Sequence, residues 1–141
     1  MVKKKEKPKF ILTVGKRKNA AACAKIEAGS GKVKVNSMPL EIWATEFSRM
    51  RMKEPLLLAD DLSKKVDIEV SVRGGGTTGQ TNAVRMAVAR ALVDFYKSSE
   101  LKQKFISYDR NLLVFDPRRN EPHKPSASKR GPRRHKQRSK R

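Results

Sequence analysis

The segment with the clearest potential for chemistry is the glycine-rich loop Gly74-x-Gly76-x-x-Gly79, which lies between a predicted strand and a predicted helix. Three glycines at this spacing match the loop that binds dinucleotides, where backbone N–H groups and a helix N-terminus hold phosphate. The same glycines also suit a tight turn that binds nothing. A third interpretation is a site for an RNA phosphate, assisted by Arg73. The loop alone leaves all three open.

The surroundings of the loop weigh against a dinucleotide. The preceding strand alternates with Asp67 and Glu69, whereas a strand of a parallel nucleotide-binding sheet is usually apolar on both faces. No following strand ends in an acid that could hold a ribose, since Asp94 lies inside the predicted helix. The loop also lacks the Gly-Lys-Ser/Thr sequence of a P-loop. A dinucleotide enzyme is therefore the weaker alternative.

Other residues with catalytic side chains are poorly arranged for catalysis. His123 and His135 lie in a basic segment without Cys, Asp or Glu at ligand spacing. Asp60 and Asp61 are neighbours on a predicted helix and so do not face each other. The single cysteine, Cys23, excludes an internal disulfide and a Cys-based zinc site, and we expect it to pack as a small core residue. The sequence predicts no catalytic residue, no metal site and no cofactor.

A run of three bases, Lys16-Arg17-Lys18, interrupts two predicted strands. Three like charges in sequence repel one another unless an anion lies near. The run is therefore either a solvated charged turn or a contact to phosphate, and both interpretations remain open.

The chain carries 34 Lys or Arg and 14 Asp or Glu, a formal charge of +20. Eleven of the bases, but only one acid and no Leu, Ile, Val or Phe, lie in residues 117–141. Ordering these residues costs about 1–2 kcal/mol each, and no core is available to offset that cost. Binding to nucleic acid can offset the cost, because basic side chains that neutralise phosphates release the counterions bound there. The composition predicts an extended segment that contacts phosphate and sugar rather than bases.

Hydrophobic periodicity predicts the elements that must position these groups. Alternation predicts strands near 10–14, 20–28, 33–35 and 66–72, and the second and third flank Gly29-Ser30-Gly31 as an antiparallel hairpin. In the first strand, Phe10, Leu12 and Val14 share one face. Helices are predicted within 40–63, where Glu54-Pro55 suits a helix start, and over 80–97 and 99–107, while 112–115 closes the sheet. Trp43 is a predicted core residue. The pattern is typical of an α+β fold with helices on one face.

The chain is divided by composition into a basic extension (1–9), a globular body (10–116) and a basic C-terminal tail (117–141). No apolar run reaches the ~18 residues of a transmembrane helix. The stretch Phe10 to Val14 is too short for a signal-peptide core. We therefore expect a cytoplasmic protein that binds a polyanion and no membrane.

Four motifs occur in an order that resembles the universal small-subunit ribosomal protein S9 (uS9) family. They are Gly15-Lys16-Arg17-Lys18-x-Ala20, Arg73-Gly74-Gly75-Gly76-x-x-Gly79-Gln80, Asp116-Pro117-Arg118 and the basic end Gly131 to Arg141. The resemblance covers about residue 9 to Arg141, and Glu121-Pro122-His123-Lys124-Pro125 is similar to the archaeal branch.

The resemblance implies a ribosomal S5 domain 2-like body with an antiparallel-rich sheet. It also implies a structural protein of the small-subunit (30S) head that is not an enzyme, with 16S rRNA, P-site tRNA and other head proteins as partners. The tail would extend toward the P site, where Ser139, Lys140 and Arg141 would contact the anticodon stem-loop. The RNA-binding residues implied by charge and resemblance are Lys16, Arg17, Lys18, Arg73, Gly74, Gly75, Gly76, Gly79, Gln80, Arg118, Arg119, Lys124, Lys129, Arg130, Arg133, Arg134, Lys136 and Arg138.

The rival from another class is a histone-like architectural DNA binder. Such a protein would have the same basic composition, but it would bind duplex DNA and rRNA with comparable affinity.

Overall fold

Five strands form one mixed sheet in the computed structural model, which describes residues 10–122. The strands are β1 (Ile11–Arg17), β2 (Ala20–Ala28), β3 (Val33–Val35), β4 (Met38–Pro39) and β5 (Val66–Arg73). Their order across the sheet is β1-β2-β5-β3-β4. Only the β3–β5 pair is parallel, and the other three pairs are antiparallel. The α+β class and the antiparallel-rich sheet are confirmed.

Three helices, α1 (Glu46–Ala59), α2 (Thr77–Tyr96) and α3 (Ser99–Tyr108), accompany the sheet, with 3₁₀ segments at Asp60–Lys65 and Arg110–Leu112. Helix α2 ends where Lys97 adopts a left-handed conformation (φ 50°), and Ser98 starts α3 by accepting a hydrogen bond from the Leu101 N–H. No helix within residues 10–122 combines the length and apolar composition needed to cross a membrane.

The core lies between one face of the sheet and α2. Alternate residues of β2 and β5 are buried on this face, and α2 is buried along most of its length from Thr81 to Leu92. Gly15 lets β1 approach α2 closely, since a Cβ atom there would collide with the Ala83 carbonyl and lie 2.6 Å from the Ala87 N. The predicted core position of Trp43 is confirmed, with 6% of its surface exposed. Helices on one face of the sheet, as expected, leave the other face open.

The predicted hairpin of 20–28 with 33–35 is wrong, because β5 lies between β2 and β3. The Gly29–Gly31 loop is held at the start of β5 instead of turning back on β2. The N–H groups of Ser30 and Lys32 donate to the Asp67 carboxylate (2.8 and 2.9 Å), and the Gly29 N–H donates to the Lys65 carbonyl (3.0 Å). The antiparallel hairpins instead join β1 to β2, with Arg17 opposite Ala20, and β3 to β4, with Val35 opposite Met38.

The first strand forms but is longer than predicted, because β1 continues to Arg17 and the basic run therefore extends the strand instead of interrupting it. The face opposite Leu12 and Val14 is the buried one. Thr13 and Gly15 face α2, and the Thr13 hydroxyl donates to the Ala87 carbonyl (2.9 Å). Leu12 and Val14 lie on the open face, 59% and 44% exposed. Because side chains alternate strictly along a strand, the close contact at Gly15 fixes the orientation of all the others. Cys23 lies exposed rather than in the core, which corrects that expectation too.

Two further boundaries differ from the sequence prediction. Pro55 does not start a helix but lies inside α1, on the buried stripe with Ser48, Met52 and Ala59, where packing offsets its missing N–H. Residues 112–115 add no strand to the sheet. The Leu113 carbonyl accepts hydrogen bonds from Arg90 Nε and Nη2 (2.9 and 2.8 Å) rather than from a strand.

Candidate nucleic-acid interface

The Lys16–Lys18 run and the glycine-rich loop meet at one end of the sheet. Lys18 and Asn19 form the β1–β2 turn, with Lys18 in the left-handed region (φ 53°). Gly74 also has positive φ (76°) and lies over this turn, since a Cβ atom on it would be 2.5 Å from the Asn19 carbonyl oxygen. Arg73 lies opposite Ala21, so the loop begins beside the turn. Two motifs far apart in sequence therefore form one surface.

Strand alternation separates the members of the basic run. Lys16 is exposed on the open face of the sheet, and Arg17 lies partly buried on the side of α2. Lys18 projects from the turn itself and is exposed. Within residues 10–122, Lys16, Lys18 and Arg73 make no ion pair, so their charges are available to an external anion.

The N-terminus of α2 opens onto this surface. Gly76 is the N-cap residue with extended backbone (φ −106°, ψ 174°), no side chain caps the helix there, and the first turn contains no acid. The first N–H groups of a helix have no intrahelical partner and carry a partial positive charge. A Cβ atom on Gly76 would meet nothing within 4 Å, so the space in front of the helix is open. This geometry suits the approach of a phosphate oxygen.

Gln80, in the first turn of α2, stabilises the preceding loop. Its side-chain amide donates to the Gly74 carbonyl (3.2 Å), and its backbone N–H donates to the Gly76 carbonyl (2.9 Å). In this structure Gln80 therefore shapes the loop, although its sequence position led us to place it among the RNA contacts.

Asp116 connects the end of β1 to the start of the C-terminal tail. It forms ion pairs with Arg17 and with Arg118, which donates from its backbone N–H, Nε and Nη2 (2.9, 3.1 and 2.7 Å). The hydrogen bonds from Arg118, with the charge of Arg17, hold the pKa of Asp116 far below its usual range. Arg118 stays 77% exposed, and Arg119 lies over the Phe115 ring (5.7 Å to the centroid). The Asp-Pro-Arg motif thus anchors residues 116–118 to the end of β1.

Comparison with known proteins identifies the family. A family model described as ribosomal protein S9/S16 matches residues 15–141. The chain belongs to this family. Two curated relatives, both named small ribosomal subunit protein uS9, match most of the chain. That of Methanococcus vannielii is 47% identical over 131 residues (93% of this chain, 98% of the relative), and that of Pyrobaculum aerophilum is 52% identical over 120 residues (85% and 84%).

Membership in the S9/S16 family confirms the resemblance and gives the chain a structural rather than an enzymatic role in the ribosome. The topology agrees with the argument against a dinucleotide site. Within the described residues, α2 is followed by α3 and a 3₁₀ turn, not by the parallel strand of a dinucleotide-binding unit. No cluster of three or more His, Cys, Asp or Glu in residues 10–122 is arranged to hold a metal ion.

The described part of the chain therefore brings together Lys18, Arg73, the Gly74–Gly79 loop, Arg17 and Arg118, and places Lys16 on the opposite face of β1. Gln80 and Arg119 also lie in the described part of the chain. The other predicted contacts lie outside the described residues: Lys124, Lys129, Arg130, Arg133, Arg134, Lys136, Arg138, Ser139, Lys140 and Arg141.

Sequence reasoning missed one polar cluster in the S9/S16 body. Arg85 is 93% buried (7% exposed) in α2 and forms ion pairs with Glu54 (2.5 Å) and Asp109 (2.8 Å). Burial raises the pKa of Asp109, but hydrogen bonds from the Asn111 N–H and from Arg85 outweigh it, and the pKa lies below the usual value. The composition of α2 could have indicated this cluster. Most positions around this helix are apolar and therefore buried, so an arginine among them is expected to be buried too and to need carboxylate partners.

Proposed function

We propose that the chain is a constituent of the head of the small subunit in cytoplasmic ribosomes. Its body (10–116) binds 16S rRNA, and its basic tail (117–141) contacts the anticodon stem-loop of P-site tRNA through Ser139, Lys140 and Arg141. The observation that carries the rRNA proposal is the convergence of the Lys18 turn and the Gly74–Gly79 loop at the open N-terminus of α2. The names of the S9 relatives support the ribosomal setting.

The surface offers two kinds of donor that suit an RNA backbone. Lys18 and Arg73 are exposed, unpaired cations beside the loop. The first N–H groups of α2 have no side-chain cap, and the space beside Gly76 is open, so a phosphate can approach them and form charge-assisted hydrogen bonds. These donors recognise phosphate rather than bases, so they fix the position of the protein on folded RNA without reading sequence.

The proposal for the tail rests on composition and on family membership. The family model extends through residue 141, so the match includes the basic end. Arg118 and Arg119 begin the tail beside the proposed rRNA surface, so the same RNA neighbourhood can engage the body first and the tail next. Neighbouring proteins of the head are the further proposed partners.

The body proposal is tested by binding of the full-length chain to a 16S rRNA head fragment. We expect Lys18→Gln to weaken binding about 2- to 10-fold and to lower the slope of log K against log salt by about 0.7–0.9, the loss of one phosphate contact. The matched control is Lys104→Gln, which removes the same charge from an exposed position on α3. Equal effects of the two substitutions would contradict a specific role for the turn.

The tail proposal is tested by deleting Ser139 to Arg141 and assembling the shortened chain into small subunits. We expect weaker binding of P-site tRNA, with assembly unchanged. Unchanged tRNA affinity would show that the tail end has no such role, while rRNA binding by the body would stand.

A further inference from the structure

A pocket between β1, α1, α2 and the segment 109–118 has no assigned role. We propose that it is a second, preformed site for a phosphate group of the RNA backbone, distinct from the glycine-rich loop. This inference rests on the proposed rRNA-binding function. The cavity has a volume of about 190 Å³ and is lined mainly by four arginines and two asparagines: Arg17, Arg51, Arg85, Arg118, Asn82 and Asn111.

The charge of the pocket favours an anion. Two carboxylates, Asp109 and Asp116, also line it, and Glu54 pairs with Arg85 from α1. Both lining carboxylates already accept hydrogen bonds from arginine side chains. Even when Glu54 is counted, the four arginines outnumber the three carboxylates, so the cluster keeps a positive charge.

Three donors at the pocket lack an acceptor among residues 10–122. The Nε of Arg85 is buried and has no hydrogen-bond partner, although buried polar groups are normally paired. The guanidinium of Arg51 lies over the Phe47 ring (5.8 Å from its centroid) and makes no hydrogen bond or ion pair within residues 10–122. The side-chain amide of Asn82 makes no hydrogen bond there either. One tetrahedral anion can accept from several such donors, and charge-assisted hydrogen bonds to phosphate are strong ones.

The pocket is also held in place before any ligand arrives. Arg85 is fixed by Glu54 and Asp109, and Arg17 is fixed by Asp116. Fixed donors lose little conformational entropy on binding. Such a site can bind a phosphate without rearranging these arginines.

The location points to RNA as the source of the phosphate. Arg17 lines the pocket, and its backbone carbonyl oxygen lies 3.6 Å from where a Cβ atom on Gly79 would be. The pocket and the glycine-rich loop therefore flank the same end of β1. Two phosphates of one folded RNA segment can occupy them together.

The experiment compares Arg51→Gln with Arg49→Gln in the full-length chain. Both remove an arginine from α1, but Arg49 lies outside the pocket, where Nη1 donates to the Ala44 carbonyl (3.1 Å). We expect Arg51→Gln to weaken binding to the 16S rRNA head fragment about 3- to 10-fold more than the control. Its slope of log K against log salt should fall by about 0.7–0.9.

A direct probe is inorganic phosphate, followed by NMR at the Nε–Hε group of Arg85. We expect a saturable shift that is lost in Asn82→Asp, which places a carboxylate in the pocket. Equal rRNA affinities for Arg51→Gln and Arg49→Gln, or an Arg85 signal unaffected by phosphate, would overturn the proposal that the pocket binds a phosphate group. In either case the unsubstituted chain would still bind rRNA, whereas failure of the proposed function would abolish that binding itself.

Discussion

Gly15 and Gly76 belong to different family motifs, and the structure gives them opposite requirements. At Gly15 a methyl group would collide with the backbone of α2, whereas at Gly76 it would meet nothing within 4 Å. Gly15 is therefore needed by the fold. A side chain at Gly76 would be tolerated by the fold but would enter the space through which we propose that a phosphate approaches α2.

Alanine substitutions separate these two roles. We expect Gly15→Ala to lower the free energy of unfolding by about 1–3 kcal/mol, the usual cost of overpacking. Gly76→Ala should change it by less than about 0.5 kcal/mol while weakening binding to the rRNA head fragment. Urea denaturation and an RNA titration measure the two effects. A stable Gly15→Ala protein would contradict the close approach of β1 and α2.

Asp116 gives the protein an acid-sensitive contact. Its pKa in the folded state lies below the value in the unfolded chain, because Arg118 and Arg17 favour the charged form. Such a carboxylate stabilises the fold above its unfolded pKa of about 3.9, and this contribution is lost as the pH falls further.

Replacing Asp116 by Asn tests this contact. We expect Asp116→Asn to lower Tm at pH 7, and the difference from the unsubstituted chain to shrink as the pH falls below about 4. Thermal unfolding at a series of pH values measures it, with Asp94→Asn, at an exposed position of α2, as the control. A Tm difference independent of pH would show that the Asp116 charge does not stabilise the fold.

At the scale of elements, periodicity predicted which segments form strands and helices better than it predicted their partners. The alternation in β5 and the apolar stripe of α2 depend on local spacing. β5 formed where expected, and α2 formed over the expected stretch but begins at Thr77 rather than at residue 80. The placement of β5 rather than β3 beside β2 is accompanied by a contact between distant residues, because Asp67 accepts hydrogen bonds from the N–H groups of Ser30 and Lys32. The spacing of apolar residues along the sequence cannot predict such a contact.

Amide hydrogen exchange tests the position of β5. Because β5 pairs with β2 on one side and β3 on the other, we expect the amides of Ile68 and Val70 to be among the most protected in the protein. Met38 in the short edge strand β4 should exchange much faster. If β2 paired with β3 instead, β5 would be an edge strand and every second amide in it would exchange rapidly.

At the scale of the whole molecule, the formal charge of +20 predicted a polyanion partner but not where the body would meet it. The motifs named Lys18, Arg73 and the loop as contacts, and the structure places these residues side by side. The pocket around Arg85 was beyond prediction, because its lining comes from two helices, the end of β1 and the segment after α3. In the sequence, each lining residue looks like an ordinary surface or core residue of its own element.

We expect the folded part of the chain to recognise ribosomal RNA in preference to other polyanions. A competition titration of the full-length chain between the 16S rRNA head fragment and duplex DNA of equal length, at physiological salt, tests it most directly. The arrangement of the loop, the turn and the Arg85 pocket predicts tighter binding to the folded rRNA fragment than to duplex DNA, with the difference reduced by Lys18→Gln. Equal affinity for duplex DNA would contradict this account and favour an architectural DNA-binding protein.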